Sequence, residues 1–185
     1  MYSAELMVSE HDNILKALQV LRAASCRILE GGAVEDKDFR KLIAFARNYA
    51  DKHHHGKEEQ IFFREMAALL GDAGKNLVQH GMLVEHDLGR LHISELEKAL
   101  DQYKADPQTI YKATIIAEAM GYAALLQRHI DKENQVVYPF GERSLPEEVL
   151  LQIDEETAAF ERAAEEVGTQ ETYLSILNEL AEKYL

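Results

Sequence analysis

The chain has 185 residues, 46% of them hydrophobic and 29% charged, with three prolines, one cysteine and no tryptophan. That length suits one domain with a real apolar core. The 33 acidic residues against 20 basic ones give a formal charge of −13, which leaves no cationic footprint to hold phosphate backbones or anionic lipid. The expectation is no nucleic acid and no membrane among its partners.

The first residues, MYSAELMVSEHDN, carry acids where an export signal needs a basic region followed by an apolar one. Leu6, Ile14, Leu15, Leu18, Leu21, Ile28 and Leu29 recur at helical spacing, which predicts a first helix over 4–30 closed by Gly31-Gly32. A second helix is expected over 36–70, with Asp36 or Asp38 as its cap and Gly71 as its stop. Asp72 opens a third, to about residue 103, and Asp106-Pro107 suits the start of a fourth, which Pro139 and Gly141 end after about Tyr138. Its most apolar part, 113–126, is broken by Glu118 and Tyr122 and falls short of the roughly 20 residues of a membrane span. Lone Cys26 forms no internal disulfide and fits no cysteine-rich zinc pattern. A cytoplasmic location is the expectation.

No stretch alternates with period two, so the fold class is all-α. Long helices joined by short loops describe an antiparallel up-down-up-down four-helix bundle over 1–143. Two weaker amphipathic helices, about 146–166 and 170–183 with Thr169 as a cap, form an extension over 144–185 that packs outside the bundle without assigned chemistry.

Set against itself at an offset of 75, the chain aligns MVSEHD (7–12) with MLVEHD (82–87), and HHGKEEQIFF (54–63) with HIDKENQVVY (129–138). The likeness of the halves is concentrated where metal-ligating side chains lie. Each half is a helical hairpin with a lone histidine on one helix and His-x-x-x-Glu on the next. Four residues advance an α-helix by about 400°, so His54 and Glu58 share one face, as do His129 and Glu133. Leu15, Leu18 and Ile61 put these histidines on the core stripe. Burying such groups without compensation costs several kcal/mol for each unpaired charge, and divalent cations remove that cost. Four imidazoles and two carboxylates fit two ions, with two histidines each, two bridging carboxylates, a bridging oxygen and one open position per ion. Imidazole plus carboxylate in a helical core favours iron, with manganese or zinc as substitutes.

These residues resemble the hemerythrin-like family in its HHE cation-binding branch: Glu10-His11-Asp12, His54 to Glu58, Glu85-His86-Asp87, then His129 to Glu133 before Tyr138-Pro139. The likeness spans about 5–140. It implies a four-helix bundle around a non-haem diiron centre bridged by carboxylates and an oxo or hydroxo group, with His11, His54, His86 and His129 as terminal ligands and Glu58 and Glu133 as bridges. Oxygen-carrying hemerythrins place a second histidine four residues from the one on the third helix, where this chain has Met82 and Arg90 on either side of His86. The four-His, two-Glu set resembles instead the branch linked to nitric oxide stress, repair of iron centres and peroxide chemistry.

The function expected is binding of, or reaction with, dioxygen, nitric oxide or peroxide, in a pocket walled by Met7, Met82 and Tyr122. If the protein is an enzyme, it is a diiron oxidoreductase. The alternative is a non-catalytic iron or redox sensor whose C-terminal helices meet a protein partner or a second copy. His53 and His55, about 100° from His54, are expected toward solvent or a neighbouring helix, and His80 and His92 as ordinary surface or supporting residues. Glu10, Asp12, Glu85 and Asp87 are expected as solvated charge, with acceptance of an imidazole N–H the other role considered. Glu59 is expected to be exposed.

Overall fold

A computed structural model describes residues 1–185. Six helices and no strand make up the chain. Helix α1 is Tyr2–Leu29. Helix α2 (36–69) joins α-helical Asp36–Phe45, π-helical Ala46–His55, π-helical Glu58–Phe62 and α-helical Phe63–Leu69. Helix α3 (71–105) carries a π turn at Val78–Met82, and α4 (109–144) one at Glu133–Val137. Helices α5 (Glu147–Glu166) and α6 (Thr169–Tyr184) complete the fold. The first four form an antiparallel ring in which α1 lies between α2 and α4, and α3 between the same two.

Several helix ends differ from the sequence reading. Helix α4 runs past Pro139 to Ser144. A proline ring clashes with the carbonyl four residues back in a regular α-helix, and the wider π turn just before it relieves that clash. Gly141 is a packing residue rather than a stop: a Cβ there would lie 2.5 Å from the Phe62 ring. Thr169 does not cap α6, because Gly168 holds the cap position at φ +69, where a side chain is disfavoured. Glu35, not Asp36 or Asp38, precedes α2. Asp36 instead accepts from Arg40, and Asp38 from Lys183 and Tyr184 of α6.

The bundle core is split in two. One cluster of 28 buried residues includes Ile14, Leu18, Tyr49, Ile93 and Leu126; a second of 12 includes Met7, Phe62, Met66, Met82 and Tyr138. On every bundle helix the ligand-type residues lie between the two, so a polar layer is clamped by apolar packing above and below. The extension is integral to this packing. Leu177, Leu180, Ala181 and Tyr184 of α6 join the larger cluster, and Ile153 of α5 joins the smaller. No helix is long and apolar enough to cross a membrane.

Candidate metal centre

The structure brings His11, His54, Glu58, His86, His129 and Glu133 into one layer, none of them more than 1% exposed. Their donor atoms fall into two groups that share Glu58: His11, His54, Glu58 and Glu133, and His55, Glu58, His86 and His129. Within each group the donor atoms lie within 4.8 Å of one another.

The carboxylates lie between the imidazole pairs. Glu58 Oε2 is 3.8 Å from His54 Nε2 and 3.5 Å from His86 Nε2, while Glu133 reaches His11 Nε2 at 3.3 Å and His129 Nε2 at 3.0 Å. His86 Nε2 and His129 Nε2 are 3.0 Å apart, about the separation of adjacent donors on one ion at bond lengths near 2.1 Å.

The outward-facing nitrogens are held by a repeated set of acceptors. Glu10 accepts from His54 Nδ1 at 2.8 Å, and its repeat mate Glu85 accepts from His129 Nδ1 at 2.9 Å. His11 Nδ1 meets Asn134 Oδ1 at 2.8 Å, and His86 Nδ1 meets Glu59 Oε1 at 2.7 Å, again from matching positions. Each such bond fixes the ring so that Nε2 points inward. Asp12 and Asp87 are exposed, as expected for solvated charge.

Electrostatics treat the donors unequally. Burial opposes charge on His129, but the adjacent Glu133 and Glu85 outweigh it and push that ring up to about 9, so a cation must displace its proton. Burial and the nearby His11 push His54 down to about 4, and burial with the neighbouring His86 holds His55 well below the ordinary range. Both rings are therefore neutral at pH 7, the state that coordinates. Burial and the charge of Glu133 push the Glu58 carboxyl well up. Burial also opposes ionisation of Glu10, but hydrogen bonds from His53 and His54 outweigh it and hold Glu10 well below the carboxylate range.

Four expectations are resolved here. His53 and His55 face neighbouring helices, the second of the two placements expected for them, and are buried: they lie on either side of His54, His53 toward α1 and α5 and His55 toward α3. His53 Nε2 meets Glu10 at 3.0 Å, and His55 stacks on His86 with ring centres 3.7 Å apart. Glu10 is buried and Glu85 partly buried, each taking the second role considered for it, acceptance from an imidazole of a neighbouring helix, rather than standing as solvated charge. Glu59 is partly buried against His86 and Arg90 rather than exposed. Met7 and Met82 lie in the smaller apolar cluster, whereas Tyr122 lines a separate cavity of about 250 Å³ with His55, His86, Asp51 and Arg90. His80 is exposed, and His92 bonds Glu118 at the bundle surface.

Two participants were missed. Tyr138 donates to Glu58 Oε1 at 2.5 Å, and Asn134 orients His11. The signal for Asn134 was present, since the repeat aligns it with Glu59; nothing in spacing alone marks Tyr138.

The donor set passes a test for a bound cation. His54 Nε2, Glu58 Oε2 and both Glu133 oxygens are buried without a hydrogen-bond partner, a costly arrangement unless a cation satisfies them. A helical bundle enclosing such a layer defines a cation-binding protein. The profile of the hemerythrin HHE cation binding domain matches residues 3–140, and the chain belongs to that family. No curated protein and no solved structure matches it.

Proposed function

We propose that the chain is a non-haem diiron protein that binds or reacts with a small ligand, dioxygen, nitric oxide or peroxide. The observation that supports this most is a buried layer of four imidazoles and two carboxylates in which His54 Nε2, Glu58 Oε2 and both Glu133 oxygens have no hydrogen-bond partner. In this reading His11 and His54 would hold one ion and His86 and His129 the other, with Glu58 and Glu133 supplying the carboxylates between them. Two iron ions supply Lewis acidity and exchangeable electrons when bound.

The residues of the chain account for the rest. Glu10, Asn134, Glu59 and Glu85 fix the ring orientations. The Tyr138 hydroxyl donates its one proton to Glu58 and lies 3.5 Å from His11 Nε2, so it fixes that carboxylate beside His11. A cavity lined by His55, His86, Tyr122 and Arg90 adjoins the layer on one side and is large enough for a small molecule. The apolar clusters on both sides keep bulk water away from the layer.

Metal analysis of the iron-loaded protein tests the assignment. Two ions per chain are expected, falling to one or none in both His54→Ala and Glu133→Ala; unchanged stoichiometry defeats it. A charge-transfer absorption that responds to dioxygen, peroxide or nitric oxide is expected at constant fold. Its absence, with a large loss of thermal stability on iron removal, supports the sensor instead.

A further inference from the structure

Lys57 has no exposed surface although it carries an ammonium group. Its Nζ contacts two carboxylates, Glu10 on α1 and Glu161 on α5, and lies 3.2 Å from His53 Nε2. Glu10 uses its second oxygen on His54 Nδ1. Glu161 uses its second oxygen to accept from Gln170 of α6 at 2.9 Å. A continuous chain of polar contacts thus runs from the C-terminal helices to an imidazole of the metal layer. Glu10, His53 and Glu161 bring ligand-type atoms within 4.8 Å of one another, but the Lys57 ammonium already supplies the positive charge there.

The extension is seated at this point. Phe160 packs over Gly56, where a Cβ would come within 3.3 Å of its ring, and lies 5.9 Å from the His53 ring. The matching site in the second hairpin lacks such a cover: Lys132 pairs with Glu85 alone and is 45% exposed.

We propose that Glu161 is a positioning residue for the metal centre, through which the C-terminal helices set how firmly the first hairpin holds its ion. This rests on the diiron reading. A carboxylate accepting from the outer nitrogen of a ligating histidine raises the donor strength of the ring. With Glu161 present, Lys57 divides its charge between two carboxylates, and Glu10 keeps more negative charge facing His54. Without the Glu161 charge, Lys57 bears on Glu10 alone, Glu10 becomes a weaker acceptor, and His54 a weaker donor.

The test compares full-length Glu161→Gln with Glu156→Gln. Glu156 is on the same helix and bridges to Arg64 at the surface, far from the Lys57 chain in its contacts. Competition between protein and a chelator for iron(II) should show Glu161→Gln releasing iron about tenfold more readily, the lower end of what supporting partners of ligands contribute, with a positive shift in midpoint potential. Glu156→Gln should match the wild type in both. Equal affinities in all three proteins overturn the proposal, as does equal weakening in both variants, which would mark general docking of α5. If circular dichroism shows Glu161→Gln unfolded, Gln170→Leu carries the test, since it leaves every charge in place but releases Glu161 from the hydrogen bond that holds it against Lys57. A smaller weakening in the same direction is then expected, and none overturns the proposal. Wild-type protein that takes up no iron fails at the earlier step and removes the diiron reading itself.

Discussion

The two hairpins place the same residues at the same offsets, yet their surroundings differ. In both, glutamate and lysine stand behind the histidine of His-x-x-x-Glu, and a π turn begins at the bridging-type carboxylate, Glu58 or Glu133. In the first hairpin the pair Glu10–Lys57 is buried beneath α5; in the second, Glu85–Lys132 faces water. The first also has the long π segment Ala46–His55 and three consecutive buried histidines, where the second has a regular α-helix with Arg128, His129 and Ile130. Duplication explains the ligand layer. The differences lie in what surrounds one copy, and they leave the Glu–Lys pair of one half enclosed and that of the other open to solvent.

The largest contrast should come from the two lysines. Lys57→Met leaves Glu10 and Glu161 without a buried cation, and removing one partner of a buried charged set costs about 3–5 kcal/mol. Lys132→Met breaks a half-exposed pair and should cost at most about 1 kcal/mol. Chemical denaturation of the metal-free proteins measures both. Similar losses would mean that the enclosure of the first hairpin has no energetic consequence.

A smaller effect is expected at Tyr138, whose repeat mate is Phe63. Tyr138→Phe makes the two positions alike and leaves Glu58 Oε1 without its donor. An unmade buried hydrogen bond costs about 1–3 kcal/mol, so metal-free protein should lose about that much in denaturant titration. Iron should restore part of it, because coordination satisfies the carboxylate. An equal loss with and without iron would place Glu58 outside the metal's reach.

The all-helical bundle was legible because apolar spacing, short loops and glycine punctuation all reported the same period. The ligand-type residues were legible because a repeat is independent of local geometry. What escaped depends on which neighbours cover each side of a helix. An angular argument at about 100° per residue separates His53 and His55 from His54 but does not say what stands on either side; here α5 and α3 do. The burial of Glu10 was hidden for a related reason. A carboxylate off the ligand face of α1 reads as solvated until the facing helix and α5 are known to cover it. The C-terminal helices gave no chemical signal, since Glu161 is one acid among many until Lys57 is found beneath it.

The covering of only one hairpin by the extension should itself depend on pH. Asp38 on α2 accepts from Lys183 at 2.6 Å and Tyr184 at 2.7 Å, whereas its repeat mate in the second hairpin is Ala113. Burial pushes the Asp38 carboxyl up, but these hydrogen bonds and the Lys183 charge outweigh it and hold it below its ordinary value. A carboxyl held low in the folded chain contributes fully above its unfolded value, near 3.9, and that contribution is lost as pH falls through the folded value. Docking of α6 should therefore loosen in wild type below about pH 4, seen as faster amide exchange over 169–184 after correction for intrinsic rates. In Asp38→Asn the same amides should be less protected at neutral pH and show a smaller further loss in that range, the part left to pairs such as Lys41–Glu179. The effect is small because the Lys183 end of the pair is open to water, where screening takes most of the attraction. Loosening that extends to α3 and α4 as well would mean that the two hairpins share the extension's support, contrary to the asymmetry seen in the structure.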